Sequence, residues 1–146
     1  MQRADRAVEL FREGKGCAQA VLLAWSPDFG LDDETALRLA APFGSGMRLG
    51  GTCGALTGAL MVLGLATCGE RYATREGRAL AAESMAALSE RFAAGTGATD
   101  CPGVLGCDLR EPDVAARVRA EGLYESRCAP AVRVAAEILE DLLPSS

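Results

Sequence analysis

The side chains with the clearest chemical potential in this sequence are its six cysteines, which occur in a 146-residue chain that has no histidine. A thiolate is a nucleophile, a redox-active group and a ligand for soft metals. The absence of histidine excludes Ser-His-Asp and Cys-His catalytic pairs, histidine-ligated zinc and the c-type haem attachment motif. Any distinctive chemistry of the chain is therefore expected to be sulfur chemistry.

Four of the six cysteines lie where helices are predicted to begin. These four are Cys17, Cys53, Cys101 and Cys128. A helix N-terminus offers unpaired backbone N–H groups and the positive end of the helix dipole, so we expect the pKa of these thiols to be lowered. Cys68 falls at a predicted helix C-terminus and Cys107 falls in a loop, and the sequence assigns no role to either.

The cysteines also have a structural interpretation. A single cysteine is more often a small buried hydrophobic residue than a reactive group, and Cys17 lies on an apolar stripe. A permanent disulfide framework is not expected in the cytosol, and the sequence contains no Cys-x-x-Cys motif. A redox-cycling pair or a metal site is the functional alternative, and the fold would have to assemble it from distant segments.

The pattern of apolar residues, caps and helix breakers predicts an all-α fold. Asp32 and Thr74 are predicted N-caps, and glycine or proline follows most helices. The abundance of alanine and the scarcity of aromatic residues favour closely packed helices over a sheet. We expect six or seven helices in a single domain spanning residues 1–146, with a loop and a short turn at 98–110. The predicted helices cover residues 3–13, 17–25, 32–41, 52–67, 75–94, 112–122 and 128–143.

The helix predicted at about 52–67 is expected to lie at the centre of the bundle. Glycines recur at four-residue spacing, at Gly50 just before this helix and at Gly54 and Gly58 within it. Small residues at this spacing let a neighbouring backbone come close.

A glycine-rich loop at 43–51 precedes this helix. It resembles an anion cradle, but it has neither the Gly-Lys-Ser/Thr of a P-loop nor the preceding strand of a dinucleotide site. Its expected role is to bring backbone close to Cys53, so that Gly51 and Gly54 lie beside a thiolate or a bound cofactor. Arg48 is the only charged residue of the loop, and it either favours a thiolate or faces solvent.

Charge and hydropathy exclude several classes of partner. The net charge of −5 disfavours nucleic acid, which requires a basic surface. Residues 1–13 are charged throughout and lack the hydrophobic stretch of a secretory signal. The uncharged run at 49–69 has the length of a membrane span, but its six glycines and three threonines favour a buried helix. We therefore expect a cytoplasmic protein that binds neither membrane nor nucleic acid.

The order of the motifs resembles that of a known protein family. The segment 51–59, GTCGALTGA, follows the segment 17–21, CAQAV, and precedes Cys101 and Cys128. Over about residues 13–140 the chain resembles the C_GCAxxG_C_C family, which is named for its cysteines. The resemblance implies a redox role with an unknown redox partner, an iron–sulfur centre and a homodimer. It also implies the functional cysteines, namely Cys17, Cys53, Cys101 and Cys128.

These observations leave two functional hypotheses and one structural hypothesis open. In the first, Cys53 or Cys17 attacks a disulfide or an oxidant, and a second cysteine resolves the product. In the second, the four cysteines hold one iron–sulfur cluster or zinc ion, within one subunit or between two. In the third, the chain is a helical scaffold whose thiols are scattered in the core. The placement of the four sulfurs separates the third hypothesis from the first two.

Overall fold

The computed structural model of this protein describes residues 2–143, which form an all-α fold as predicted. No strand occurs in this range, and none of its helices is long and apolar enough to cross a membrane. The helices are α1 (Arg3–Arg12), α2 (Cys17–Trp25), α3 (Asp33–Ala40), α4 (Gly54–Thr67), α5 (Arg75–Thr96), α6 (Cys101–Leu105), α7 (Val114–Ala120) and α8 (Ala129–Leu142).

The structure has one helix more than the seven predicted within residues 2–143. This helix is α6, and it lies in the segment predicted as a loop with a short turn. Asp100 caps it, because the Gly103 backbone N–H donates to the Asp100 carboxylate at 2.7 Å. The predicted caps at Asp32 and Thr74 are confirmed, since their side chains accept from the third residue along at 3.0 Å.

The glycine-lined helix α4 packs against α2, α5 and α8, which gives it the central place that its glycines predicted. A Cβ atom at Gly58 would lie 2.7 Å from the Ala18 carbonyl oxygen and 3.0 Å from the Ala18 Cα. A Cβ atom at Gly54 would lie 3.0 Å from the Cβ of Cys17. The missing side chains of α4 therefore let the backbone of α2 come close, and this contact places Cys17 beside the start of α4.

The glycine-rich loop folds into an unusual left-handed turn. Four consecutive residues have positive φ values between 56° and 61°, which are Ser45, Gly46, Met47 and Arg48. Glycine is required at the second position, because a Cβ atom at Gly46 would lie 2.7 Å from the Cβ of Cys101. The other three residues carry side chains, for which a positive φ is energetically costly. The contact between Gly46 and Cys101 holds the turn against the start of α6.

Two backbone hydrogen bonds join the start of α4 to the start of α6. The Cys53 N–H donates to the Thr99 carbonyl at 2.8 Å, and the Cys101 N–H donates to the Gly51 carbonyl at 2.7 Å. These bonds form an isolated antiparallel bridge between Thr52 and Asp100. Cys53 directly follows Thr52, and Cys101 directly follows Asp100. The residues that follow the two members of an antiparallel pair have their side chains on the same side of the bridge, so Cys53 and Cys101 share a face.

Candidate functional site

The four cysteines at the predicted helix starts line one small cavity. The cavity has a volume of about 20 Å³, which is room for about one water-sized group. Its walls also include Val104, Leu105 and Leu109, so the surroundings of the sulfurs are largely apolar. The structure thus brings Cys17, Cys53, Cys101 and Cys128 together, although they lie far apart in the sequence.

Cys17 and Cys53 take their positions from the contact between α2 and α4. Cys17 is the first residue of α2, and Gly54 leaves the space that its side chain occupies. Cys53 is the N-cap of α4 and is 5% exposed. Both cysteines lie at helix starts, as predicted. The binding of a cofactor by Gly51 and Gly54 stays a prediction, and in the structure this chain's own atoms pack against both glycines.

Cys101 and Cys128 enter the cavity from its other side. Cys101 is the first residue of α6, where Gly46 of the left-handed turn packs on it. Cys128 ends a π-helical turn, Tyr124–Cys128, that runs directly into α8. The next backbone N–H, that of Ala129, already donates to the Tyr124 carbonyl. Cys128 therefore does not lie at a free helix start, which differs from the prediction.

Burial opposes the predicted lowering of the pKa at most of these thiols. Burial raises the pKa of Cys53 from 9.0 to about 11, although the backbone N–H groups of Ala55 and Leu56 lower it. Burial likewise raises the pKa of Cys101 to about 12, with smaller contributions from the neighbouring thiols and carboxylates. The helix-start effect is present at Cys53, but the loss of solvation outweighs it.

Cys17 and Cys128 form an asymmetric pair. A hydrogen bond between the two thiols is the largest influence on both, and it raises the pKa of Cys17 well above its ordinary value. The same hydrogen bond lowers the pKa of Cys128, even though burial opposes the change. Cys17 thus keeps its proton and donates it, while Cys128 is the thiol of the four that ionises most readily.

The raised pKa of Cys53 predicts that the folded protein loses stability in alkali. Between about pH 9 and pH 11 the unfolded chain releases the Cys53 proton while the folded chain retains it, so unfolding becomes easier as the pH rises. A shift from 9.0 to about 11 corresponds to a loss of roughly 3 kcal/mol. Urea unfolding across this range measures it, and Cys53→Ala should have a shallower pH dependence than the wild type. Cys68→Ala, outside the cavity, is the control, and an equal dependence in all three proteins would contradict the prediction.

The two remaining cysteines lie outside the cavity wall. Cys68 caps the C-terminal end of α4, with its sulfur 3.9 Å from the Gly77 carbonyl oxygen. Cys107 is half-buried beside the small apolar cluster of α6, α7 and the π-helical turn, which also contains Cys128. All six cysteines are free thiols in the structure.

Besides the apolar residues of the cavity wall, sequence reasoning missed its two hydroxyl-bearing residues, Tyr124 and Ser45. Tyr124 lies four residues before Cys128, a spacing that could have suggested a shared face in a helix. Burial raises the pKa of Tyr124, and Cys128 adds to the shift. Ser45 carried no signal, because its place depends on the left-handed turn. Arg48 is exposed and borders a neighbouring cleft rather than this cavity.

The cavity has the donor atoms, but not the arrangement, of the predicted metal or iron–sulfur site. Four thiols are a suitable donor set for zinc or iron–sulfur clusters. Within residues 2–143, however, no group of three or more cysteine, aspartate or glutamate side chains is arranged to hold a metal ion. The donor chemistry fits and the arrangement does not, so no step of the chemistry below is routed through a metal.

Comparison with known proteins identifies a family that is named for its cysteines. The model of the family described as "Putative redox-active protein (C_GCAxxG_C_C)" matches residues 16–142. The matched range contains all four cysteines of the cavity. No curated protein and no solved structure matches the chain significantly.

Proposed function

Because the chain belongs to the C_GCAxxG_C_C family, described as redox-active, we propose that its cavity is a dithiol–disulfide centre in which Cys128 and Cys17 are the primary pair. Cys128 carries the attacking thiolate and Cys17 closes the disulfide. This assignment moves the attack from Cys53 or Cys17, which the sequence favoured, to the cysteine with the lowered pKa.

The convergence of Cys17 and Cys128 on one small, largely apolar cavity is the observation that carries this proposal. The opposite pKa shifts of the two thiols agree with it. A disulfide needs Cα atoms within about 7 Å of each other, and two thiols that line one cavity of about 20 Å³ are placed to meet this requirement. The largely apolar wall leaves the pair with few competing hydrogen-bond partners.

The reaction is an exchange with a disulfide R–S–S–R. The Cys128 thiolate attacks one sulfur, which forms a Cys128–S–S–R bond and releases R–S⁻. Cys17 then gives up its proton and attacks the Cys128 sulfur, which forms the Cys17–Cys128 disulfide and releases the second R–S⁻. The two cysteines lose two electrons and two protons, and the substrate leaves as two thiols.

Cys53 and Cys101 are proposed to be the second pair of the centre. They share a face of the Thr52–Asp100 bridge, where diagonal neighbours have Cα atoms roughly 7–8 Å apart. That separation slightly exceeds the usual disulfide range, so a disulfide between them needs a small backbone movement. They are therefore suited to exchange with the primary pair, not to hold a permanent bond.

Peptide mapping of the oxidised protein tests the primary pair. Trypsin places Cys17 on the peptide 16–38 and Cys128 on the peptide 128–133, apart from every other cysteine. After oxidation with diamide and alkylation of the remaining thiols, we expect these two peptides to be joined. The joined peptide should disappear in Cys128→Ser and persist in Cys68→Ser. Full alkylation of both peptides after oxidation would overturn the proposal.

Anaerobic purification separates this proposal from the alternative cluster-binding function, which the four-thiol donor set supports chemically. We expect protein without stoichiometric iron, zinc or acid-labile sulfide, and with four thiols of the cavity free to react. Stoichiometric iron with sulfide, or zinc, would replace the dithiol proposal by the metal-binding one.

A cytoplasmic location and a homodimer remain predictions. The cytoplasm keeps thiols reduced, which suits a centre that must return to its dithiol state. Sedimentation of the purified protein would establish its oligomeric state.

A further inference from the structure

A second, outer cleft adjoins the cysteine cavity. Its volume is about 40 Å³, twice that of the inner cavity, and unlike the inner cavity it is lined by charged side chains, those of Arg48, Asp108 and Arg110. A volume of this size accommodates a few heavy atoms, such as one short arm of a small molecule.

The two cavities share a wall made of Ser45, Cys101 and Leu109. Cys101 is the one cysteine of the four that lines the outer cleft. Cys101 and Cys17 are half-buried, whereas Cys53 and Cys128 are 5% and 8% exposed, but Cys17 does not line the outer cleft. A molecule in the outer cleft therefore meets the redox centre at Cys101.

The outer cleft carries two guanidinium groups in a chain whose net charge is −5. Arg110 is neutralised locally, because it donates to both carboxylate oxygens of Asp108 at 3.0 and 2.7 Å. Arg48 forms no ion pair with any side chain of residues 2–143. A guanidinium that is always charged and has no acidic partner favours an anionic ligand.

The backbone holds both arginines at the cleft. Arg48 has a φ of 57° at the end of the left-handed turn, which packs on Cys101 through Gly46. A Cβ atom at Gly50 would lie 2.6 Å from the Cζ of Arg110, so the loop rests directly on that guanidinium. The nearby carboxylate of Asp100 accepts a hydrogen bond from the backbone N–H of Gly103. This arrangement leaves Arg48 as the free charge of the cleft.

We propose that the outer cleft binds a low-molecular-weight disulfide that carries a carboxylate, with Arg48 recognising the carboxylate and Cys101 exchanging with the disulfide. This inference rests on the proposed dithiol–disulfide function and names its substrate class and its point of access.

The exchange balances as two successive substitutions. For a disulfide held in the outer cleft, Cys101 makes the first attack in place of Cys128, because Cys101 is the cavity cysteine that lines this cleft. Cys101 passes its proton to the Cys128 thiolate and attacks R–S–S–R, which forms Cys101–S–S–R and releases R–S⁻. The released R–S⁻ takes the proton from Cys128 and leaves as R–SH, which restores the Cys128 thiolate. The Cys128 thiolate then attacks the Cys101 sulfur, which forms a Cys101–Cys128 disulfide and releases the second R–S⁻. Transfer of the disulfide to Cys17 is an internal exchange with no net oxidation. The protein loses two electrons and two protons, and the substrate gains them as two R–SH molecules.

Three probes of similar size and different charge test the recognition. They are dithiodipropionate, which is anionic, hydroxyethyl disulfide, which is neutral, and cystamine, which is cationic. We expect the full-length reduced protein to release thiol fastest from dithiodipropionate. Arg48→Gln should slow that reaction by about tenfold, the effect of losing one charge-assisted hydrogen bond, and leave hydroxyethyl disulfide unaffected. Arg78→Gln, an exposed arginine of α5, should change neither rate.

The outcomes distinguish the two proposals. Equal rates for the three probes, or an unchanged rate in Arg48→Gln, would overturn the anionic substrate while leaving the diamide-formed Cys17–Cys128 disulfide intact. Loss of the dithiodipropionate reaction in Cys107→Ser but not in Cys101→Ser would overturn the assignment of Cys101. Failure of diamide to join Cys17 and Cys128 would overturn the proposed function itself.

Discussion

Replacing Gly58 with alanine is expected to lower the free energy of unfolding by about 3 kcal/mol, whereas the same change at Gly64 of the same helix leaves it unchanged or slightly higher. The added methyl group at Gly58 would lie 2.7 Å from the Ala18 carbonyl oxygen and 3.0 Å from its Cα. These are backbone atoms of α2, so no side-chain rotation relieves the overlap. At Gly64 no atom lies within 4 Å of the added methyl group.

The two variants are closely matched, because both exchange a glycine for an alanine inside α4. Alanine gains about 1 kcal/mol of helix propensity at each site, so their difference reports the contact with α2 alone. Urea unfolding measures the stabilities. Equal stability of Gly58→Ala and Gly64→Ala would contradict the close contact between α2 and α4 at Gly58.

The same variant should weaken the redox centre. Because α2 begins with Cys17, a displacement of α2 at Ala18 moves the Cys17 sulfur away from Cys128. We expect Gly58→Ala to reduce the yield of the diamide-formed Cys17–Cys128 disulfide, measured under conditions where the variant is still folded. Gly64→Ala should form the disulfide like the wild type. The glycine spacing of α4 would then be tied to the chemistry as well as to the packing.

Most of the helices could be predicted because their signals are local. The caps at Asp32 and Thr74 and the stripe containing Val132, Ala135 and Leu139 depend on residues within a few positions of each other. The helix α6 is only five residues long, which is too short to show a period. The left-handed turn at 45–48 has three non-glycine residues, and it packs through Gly46 against Cys101 and Gly51, a contact that no local pattern predicts.

The identity of the cysteines near the cavity could be predicted, but not the order of their acidities. Reasoning from helix starts gives Cys53 a lowered pKa, because local N–H groups do favour its thiolate. Burial is a property of the whole fold, and it reverses the sign at Cys53 and Cys101. The lowered pKa of Cys128 depends on a hydrogen bond to Cys17, a residue more than 100 positions away.

Cys128 is expected to react with iodoacetamide at neutral pH at least about tenfold faster than Cys53. Their exposed fractions are 8% and 5%, so access does not separate them. The pKa of Cys128 lies below 9.0 and that of Cys53 at about 11, which gives Cys128 about a hundredfold more thiolate. The weaker nucleophilicity of the less basic sulfur cancels about half of this advantage on a logarithmic scale. Mass spectrometry of the peptides 128–133 and 49–71 measures the two rates.

The advantage of Cys128 should depend on the hydrogen bond from Cys17. In Cys17→Ala that bond is lost, so burial alone acts on Cys128 and raises its pKa, and we expect its alkylation to slow by about tenfold or more. In Cys17→Ser the hydroxyl can still donate, so the rate should stay near that of the wild type. Both variants remove the sulfur atom of residue 17, so an effect of lost packing would change the alkylation rate of Cys128 in both. The loss of the hydrogen-bond donor slows the rate only in the alanine variant. An unchanged rate in Cys17→Ala would show that the Cys128 thiolate does not depend on its partner, and the asymmetric pair would have to be abandoned.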